Sequence, residues 1–184
     1  MDQDLMKYVD RILISEEEIQ AKVKEMGKII TRDYEKEEAD LLLVCTLKGG
    51  VIFMADIMKE IDLDVEIDFM AVSSYGSSTV SSGDVRIIKD IQESFMGKNI
   101  LIIEDIIDTG YTLEYLTKNF KDRGAKSVKV AALLNKEGGR ANEFHADYVG
   151  FEIPNEYVIG YGMDFNQKLR NLPFVAILKE RYYK

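Results

Sequence analysis

Apolar residues follow two rhythms along this chain. One is the short, nearly continuous run, at 41–46 and 100–103, with a further run at 127–134. Such runs suit strands buried on both faces of a parallel sheet. The other is helical spacing. Ile19, Val23, Met26 and Ile30 recur at it, behind Ser15 and Glu18, which make a capping-box signal. A helix is therefore expected over about 16–34. Residues 51–58 read as a buried helix, and Leu113, Leu116 and Phe120 give another helix an apolar face that ends near Gly124. Residues 65–72 alternate and read as a strand; 85–91 read as its return strand, which makes an antiparallel flap. Short strand candidates remain at 148–153, 158–161 and 174–178, and 1–14 holds an edge strand or a packing arm. Strands alternating with helices predict an α/β fold with a central, mostly parallel sheet flanked by helices. The expected layout is one domain over 1–184. Its core covers about 15–150, and a small β-rich hood is formed by 1–14 and 151–184.

The stretch 99–112, N-I-L-I-I-E-D-I-I-D-T-G-Y-T, organises the rest. Its apolar strand is expected to end at the acidic pair Glu104-Asp105. A short loop, Asp108-Thr109-Gly110-Tyr111-Thr112, leads into a helix. In open α/β sheets ligands sit beyond the carboxyl ends of strands. A helix start there offers backbone N–H groups to a phosphate. No lysine of a Walker loop is present, so amides and hydroxyls alone would hold the anion. The acidic pair reads either as a solvated strand end or as a sugar site. Beside an anion loop, paired acids repel the phosphate unless they face other groups. A ribose phosphate satisfies both, with hydroxyls on the acids and phosphate on the loop.

The same logic recurs at Leu47-Lys48-Gly49-Gly50, now with a cation. This is either a plain tight turn or a loop for a polyphosphate. Residues 73–84, S-S-Y-G-S-S-T-V-S-S-G-D, have almost nothing to bury and read as a hairpin tip or a lid. Lys136 follows a buried strand, solvated or poised to donate to a carbonyl. Arg140 reads as a surface charge or as a neighbour of the polyphosphate.

Composition narrows the function classes. The chain has 184 residues, 46% of them hydrophobic, enough for one sizeable core. A formal charge of −9 argues against non-specific nucleic-acid or anionic-membrane binding. Cys45 is the one cysteine, which excludes a disulfide framework within the chain and fits a reducing cytosol. The N-terminus carries no signal-peptide pattern, and no apolar run approaches the ~20 residues that span a bilayer. His145, the single histidine, reads as a structural or surface residue, so a Ser-His-Asp or Cys-His site is not expected.

The run 102–110, with the Gly-rich turn before it, resembles the type I phosphoribosyltransferases, and within them the hypoxanthine-guanine branch. The resemblance covers about 5–180, with motifs in matching order at 47–50, 74–75, 104–112, 136 and 151–170. Two departures are Glu137-Gly138-Gly139-Arg140, which lacks a proline common in relatives, and Tyr111 at a variable loop position.

The resemblance implies transfer of a phosphoribosyl group from phosphoribosyl pyrophosphate to N9 of hypoxanthine or guanine, giving IMP or GMP. It implies that Asp108 is catalytic at purine N7, and that Glu104 and Asp105 bind the ribose hydroxyls. Asp108, Thr109, Gly110, Tyr111 and Thr112 would take the 5-phosphate. Lys48, Gly49 and Arg170 would meet pyrophosphate, with a cis peptide possible between Leu47 and Lys48. Lys136 would hydrogen-bond the 6-oxo group, Tyr157 would stack on the base, and Val158 would offer backbone to it beside Asp164. Ser74 and Tyr75 would belong to a closing lid. Magnesium would be the cofactor, with Asp164, Glu104 and Asp105 as its candidate ligands. The implied partners are these small molecules and further copies of the chain, in a dimer or tetramer, within the cytoplasm. Two alternatives stay open: a transferase preferring xanthine or a pyrimidine, and a nucleic-acid-binding regulator that uses the nucleotide site as a sensor.

Overall fold

The computed structural model describes residues 3–74, 85–136, 138, 142 and 144–184. The elements, in order, are α1 (Gln3–Met6), β1 (Val9–Ile14), α2 (Glu16–Tyr34), β2 (Leu41–Leu47), α3 (Val51–Glu60), β3 (Val65–Ser74), β4 (Val85–Lys89), β5 (Asn99–Ile107), α4 (Tyr111–Asp122), β6 (Ser127–Lys136), β7 (Tyr148–Ile153), β8 (Val158–Ile159) and β9 (Val175–Leu178). A 3-10 turn, Glu180–Tyr182, follows.

The six-stranded sheet runs β4-β3-β2-β5-β6-β7. All its neighbours are parallel except β3 and β4. The apolar runs explain its layers, because successive strand residues face opposite sides. Leu41, Leu43, Cys45, Leu101 and Ile103 pack with α2 and α3. Leu42, Val44, Ile100 and Ile102 pack with Leu113, Leu116 and Phe120 of α4. With both faces covered, a continuous apolar run is what each central strand requires. Ile102 and Ile103 are fully buried, each worth about 1.5–3 kcal/mol.

α2 has the predicted bounds and both halves of the capping box. Glu18 N donates to Ser15 Oγ, and Ser15 N donates to the Glu18 carboxylate. That bond to Ser15 N–H holds the Glu18 carboxyl below its usual range.

Topology fixes where a ligand could sit. β2 and β5 are adjacent and parallel, yet their following helices lie on opposite faces of the sheet. The loops after β2 and β5 therefore diverge and leave a crevice at the carboxyl ends, the switch-point position for ligands in open α/β sheets.

The hood is an antiparallel sheet of order β1-β9-β8. One face, with Ile14, Val158, Val175 and Ile177, joins the main core. The other closes over Val9, Ile159, Ala176 and Leu178. A part-buried latch ties hood to core: Tyr161 Oη donates to Asp56 of α3 at 2.7 Å, and the exposed Gln20 of α2 donates to the same oxygen at 3.2 Å. Burial pushes the Asp56 carboxyl up, but hydrogen bonds from Lys59, Tyr161 and Gln20 outweigh it and leave it below the usual range.

Four expectations change. β5 does not stop at the acidic pair; it carries Glu104 and Asp105 inside the strand and ends at Ile107, because Glu104, Ile106 and Ile107 still pair with β6. β3 extends through Ser74, which pairs with Val85, so Ser74 is a strand residue rather than part of a loop. Lys136 ends β6 instead of following it. The hood boundary at 151 falls inside β7, which pairs with β6 in the main sheet. Tyr75, the rest of 75–84 and Arg140 lie outside the described residues.

Candidate active site

The loop after β5 forms the first part of the crevice. Gly110 caps α4 with φ 84°, a left-handed conformation that L side chains rarely adopt. The first-turn N–H groups of α4 then lead into a hollow of about 160 Å³. Glu104, Ile106, Ile107, Asp108, Thr109, Gly110, Thr112 and Leu113 line it. The helix dipole makes this end favourable for an anion. Tyr111 is the first residue of α4, not a lining residue.

A Cβ at Gly110 would stand 2.5 Å from Asn142 Oδ1. Gly110→Val therefore combines backbone strain of about 1–3 kcal/mol with that clash. Calorimetric titration with GMP is expected to show at least a tenfold weaker complex. Native affinity would remove the loop as the phosphate site.

The second part is a cleft of about 270 Å³ that shares Ile106 and Asp108 with the first. Asp105, Lys136, Tyr157, Val158, Met163 and Asp164 complete it. Lys136 Nζ lies 3.4 Å from Asp108 Oδ2. The lysine side chain is 15% exposed and the aspartate 56%, so the pair presents a cation and an anion to one opening. The Tyr157 ring lies 5.2 Å from that of Tyr183, and Tyr157 Oη donates to the Asp164 carbonyl at 3.3 Å. Burial and the Asp164 charge raise the Tyr157 hydroxyl.

Under this cleft, burial pushes the Glu104 carboxyl well above its usual range, and the adjacent Asp105 charge adds to the effect. Cys45 is buried behind the pair. Burial, aided by the charges of Glu104 and Asp105, pushes its thiol up to about 12, so it cannot serve as a thiolate nucleophile near neutral pH.

The third part is the loop after β2. The Leu47–Lys48 peptide is cis, as the resemblance implied. Gly49 sits against the acidic pair: a Cβ there would meet Asp105 Oδ2 at 1.7 Å. Gly162 of the hood sits against Gly49 in turn, and a Cβ on it would meet Gly49 O at 2.0 Å. The loop is thus held between the strand carboxylate and the hood. Lys48 Nζ donates to Gln167 Oε1 at 3.1 Å. Arg170 pairs with Asp164 Oδ1 at 2.7 Å and donates to Gly162 O at 2.7 Å.

Lys48, Gly49, Asp105, Asp108, Lys136, Tyr157, Val158, Asp164 and Arg170 therefore converge from segments spread over more than 100 positions of the chain. The carboxylates proposed for a metal do not form a three-ligand cluster. Among the described residues, no three acidic, histidine or cysteine groups could hold an ion together. The Asp164 carboxylate is occupied by Arg170 and by Gln167 N–H. Asp105 Oδ1 accepts from Ile106 N at 2.9 Å. Hard oxygen donors in ones and twos still suit magnesium, which typically takes one or two carboxylates and completes its shell with phosphate and water oxygens. His145 is exposed and lines, with Lys136, a separate hollow that also takes in Val149 and Glu152.

Sequence reasoning missed Gln167, Gly162 as a contact residue, and the Tyr161–Asp56 latch. The one local signal was the Gly160-Tyr161-Gly162 pattern, which reads only as a turn until Gly49 is placed against it.

A family model described as the phosphoribosyl transferase domain matches residues 13–166. A hypoxanthine-guanine phosphoribosyltransferase of Bacillus subtilis (strain 168) is 52% identical over 181 residues, 98% of this chain and 99% of that protein. One of Streptococcus thermophilus (strain CNRZ 1066) is 51% identical over 179 residues, covering 97% and 98%. A crystal structure of a hypoxanthine phosphoribosyltransferase from Staphylococcus aureus superposes with a TM-score of 0.95 at 42% identity. It covers 100% of this chain and 99% of its own.

Proposed function

The chain belongs to the phosphoribosyl transferase family, and on that premise we propose that it is a 6-oxopurine phosphoribosyltransferase of purine salvage. It joins N9 of hypoxanthine or guanine to ribose C1 of phosphoribosyl pyrophosphate, giving IMP or GMP and pyrophosphate. One observation carries the choice of base: Lys136 and Asp108, a donor and an acceptor 3.4 Å apart, open on the cleft that Tyr157 and Val158 also line. A 6-oxopurine with its proton on N7 presents the complementary pair, an O6 acceptor beside an N7–H donor. Adenine would set a 6-amino donor against a lysine that cannot accept, leaving a buried donor unpaired at about 1–3 kcal/mol.

The chemistry follows from the residues. The C1–oxygen bond to pyrophosphate breaks, and the leaving group takes the electron pair. The C1–N9 bond forms from the opposite side, and Asp108 receives the N7 proton. Positive charge grows on the sugar ring as the bond to pyrophosphate lengthens, and Glu104 and Asp105 orient that ring through its hydroxyls. The amides and hydroxyls from Asp108 to Thr112 anchor the 5-phosphate, while Lys48, Gly49 N–H and Arg170 meet the departing anion. Asp164 or the acidic pair would help to hold magnesium, which would supply further charge neutralisation to the leaving group. Most of the protein's work is positioning.

A homo-oligomer, dimer or tetramer, is part of this reading. Ile67 and Ile88, 45% and 68% exposed, lie on β3 and the edge strand β4 and support it. No helix among the described residues is long and apolar enough to cross a membrane, and we place the reaction in the cytoplasm. The test of function is product formation from phosphoribosyl pyrophosphate with five separate bases. Hypoxanthine and guanine should give nucleotide, and adenine should not. Turnover of adenine alone, or of no purine, would overturn the proposal.

Lys136→Ala is expected to raise the KM for hypoxanthine by about tenfold to a hundredfold, from loss of one charged hydrogen bond of ~1.5–3 kcal/mol. Affinity for pyrophosphate should change little. Steady-state kinetics with both substrates varied reads this out, and unaltered purine kinetics would return Lys136 to an ordinary surface role.

A further inference from the structure

We propose that Gln167 is a positioning residue that pre-sets Lys48 and Arg170 for pyrophosphate. The inference deepens the reading above and rests on its assignment of those two cations. The Gln167 side-chain oxygen accepts from Lys48 Nζ at 3.1 Å and from Arg170 Nη2 at 3.3 Å. Two like charges from residues more than a hundred positions apart thus meet on one neutral oxygen. Their repulsion opposes that arrangement, and the shared acceptor offsets it without cancelling either charge.

The acceptor is itself held in place. Gln167 N donates to Asp164 Oδ2 at 2.7 Å, and the residue adopts φ 62°. Arg170 is fixed from two further sides, by Asp164 Oδ1 and by Gly162 O, both at 2.7 Å. Its buried Nε has no acceptor among the described residues, so its donor capacity is not exhausted. Lys48 has a flexible stem, and a long free lysine loses rotamer entropy when a ligand orders it. Here Gln167 orders it before the ligand arrives, which is preorganisation.

The neutrality of Gln167 also matters. A phosphate oxygen makes charge-assisted hydrogen bonds, roughly twice as strong as those to a neutral amide. Pyrophosphate therefore takes Lys48 from Gln167 readily, while Arg170, which Asp164 also holds, keeps its unpaired Nε to offer. A side chain that gathered them with a full negative charge would compete with it.

Gln167→Met tests this. Methionine keeps the length of the side chain and the same backbone strain but removes the oxygen. Inorganic pyrophosphate, with magnesium present, is titrated by calorimetry into the full-length native, Gln167→Met and Lys48→Ala proteins. GMP binding, melting temperature and steady-state kinetics are measured beside it. Gln167→Met should bind pyrophosphate about fivefold more weakly and raise the KM for phosphoribosyl pyrophosphate by a similar factor. Its kcat, GMP affinity and melting temperature should stay native. A purely structural role would lower the melting temperature and weaken GMP as well, which overturns the proposal. Native or tighter pyrophosphate binding also overturns it, the latter by making Gln167 a competitor. If Lys48→Ala binds pyrophosphate normally, the assignment of the cations has failed, and the inference falls with it. A weakened Lys48→Ala beside a native-like Gln167→Met rejects the inference alone.

Discussion

Asp108→Asn is expected to lower kcat for IMP synthesis by about 10²–10⁴-fold, the usual contribution of a general base, with pyrophosphate affinity nearly unchanged. Asparagine keeps the size and one acceptor oxygen but not the charge or basicity. Asp108 lines both the hollow at the start of α4 and the cleft beside Lys136, so one residue joins the proposed phosphate and base sites, and its carboxylate faces Lys136. The loss should depend on the base. A purine analogue already ionised at N7–N9 near neutral pH needs less help and should be affected less. Removal of both Glu104 and Asp105 should instead damage sugar binding. Single-turnover synthesis with hypoxanthine and with a more acidic analogue separates these outcomes. Equal losses for both bases would show that Asp108 does not act on the purine.

Gly162→Ala is expected to disable the site without touching a reacting group. Gly162 has φ 101°, and its Cβ would stand 2.0 Å from the backbone oxygen of Gly49. Neither atom lies at the end of a flexible side chain, so the hood must move from the loop. Gly162 is also bound to Arg170 twice: its N–H donates to the Arg170 carbonyl at 2.9 Å, and its carbonyl accepts from the guanidinium. Displacement therefore carries Arg170 with it. Strain and overpacking of this kind cost about 2–4 kcal/mol, which for a chain of this size lowers Tm by roughly 5–15 °C. Pyrophosphate affinity should fall by at least tenfold, because two walls of its site separate. Scanning calorimetry and pyrophosphate titration check both. A native Tm with native pyrophosphate binding would mean that the hood does not brace the loop.

Both predictions concern residues whose neighbours are distant in sequence, and that separates what could be read early from what could not. Elements were legible where local physics dominates. The helix Glu16–Tyr34 follows from its apolar spacing and the Ser15–Glu18 box, since both act within a few residues. β2 and β5 follow from runs of apolar residues that only a doubly covered strand can bury. The loop at Asp108–Gly110 follows from a glycine between strand and helix. Boundaries were less legible. β5 continues past two carboxylates because pairing with β6 satisfies its backbone there, and a side-chain pattern does not record a partner strand. The hood boundary expected at 151 cuts through β7 for the same reason: short strands look alike until a neighbour is known.

The sequence by itself determined the α/β class, the order of the main helices and strands, the strand–loop–helix step at Asp108–Thr112, and the identity of most residues that face the crevice. Those features depend on patterning, propensity and motif chemistry within short windows. Only the tertiary structure decided that Lys136 faces Asp108, that Gly49 lies between Asp105 and Gly162, and that Gln167 holds Lys48 and Arg170 together. It also decided that, among the described residues, no three acidic, histidine or cysteine groups come together to hold an ion. These are contacts between segments that meet through sheet topology and hood packing, and their strength depends on ångström-scale distances. A one-dimensional pattern fixes which side chains are available, while the close packing of a folded interior fixes which of them touch.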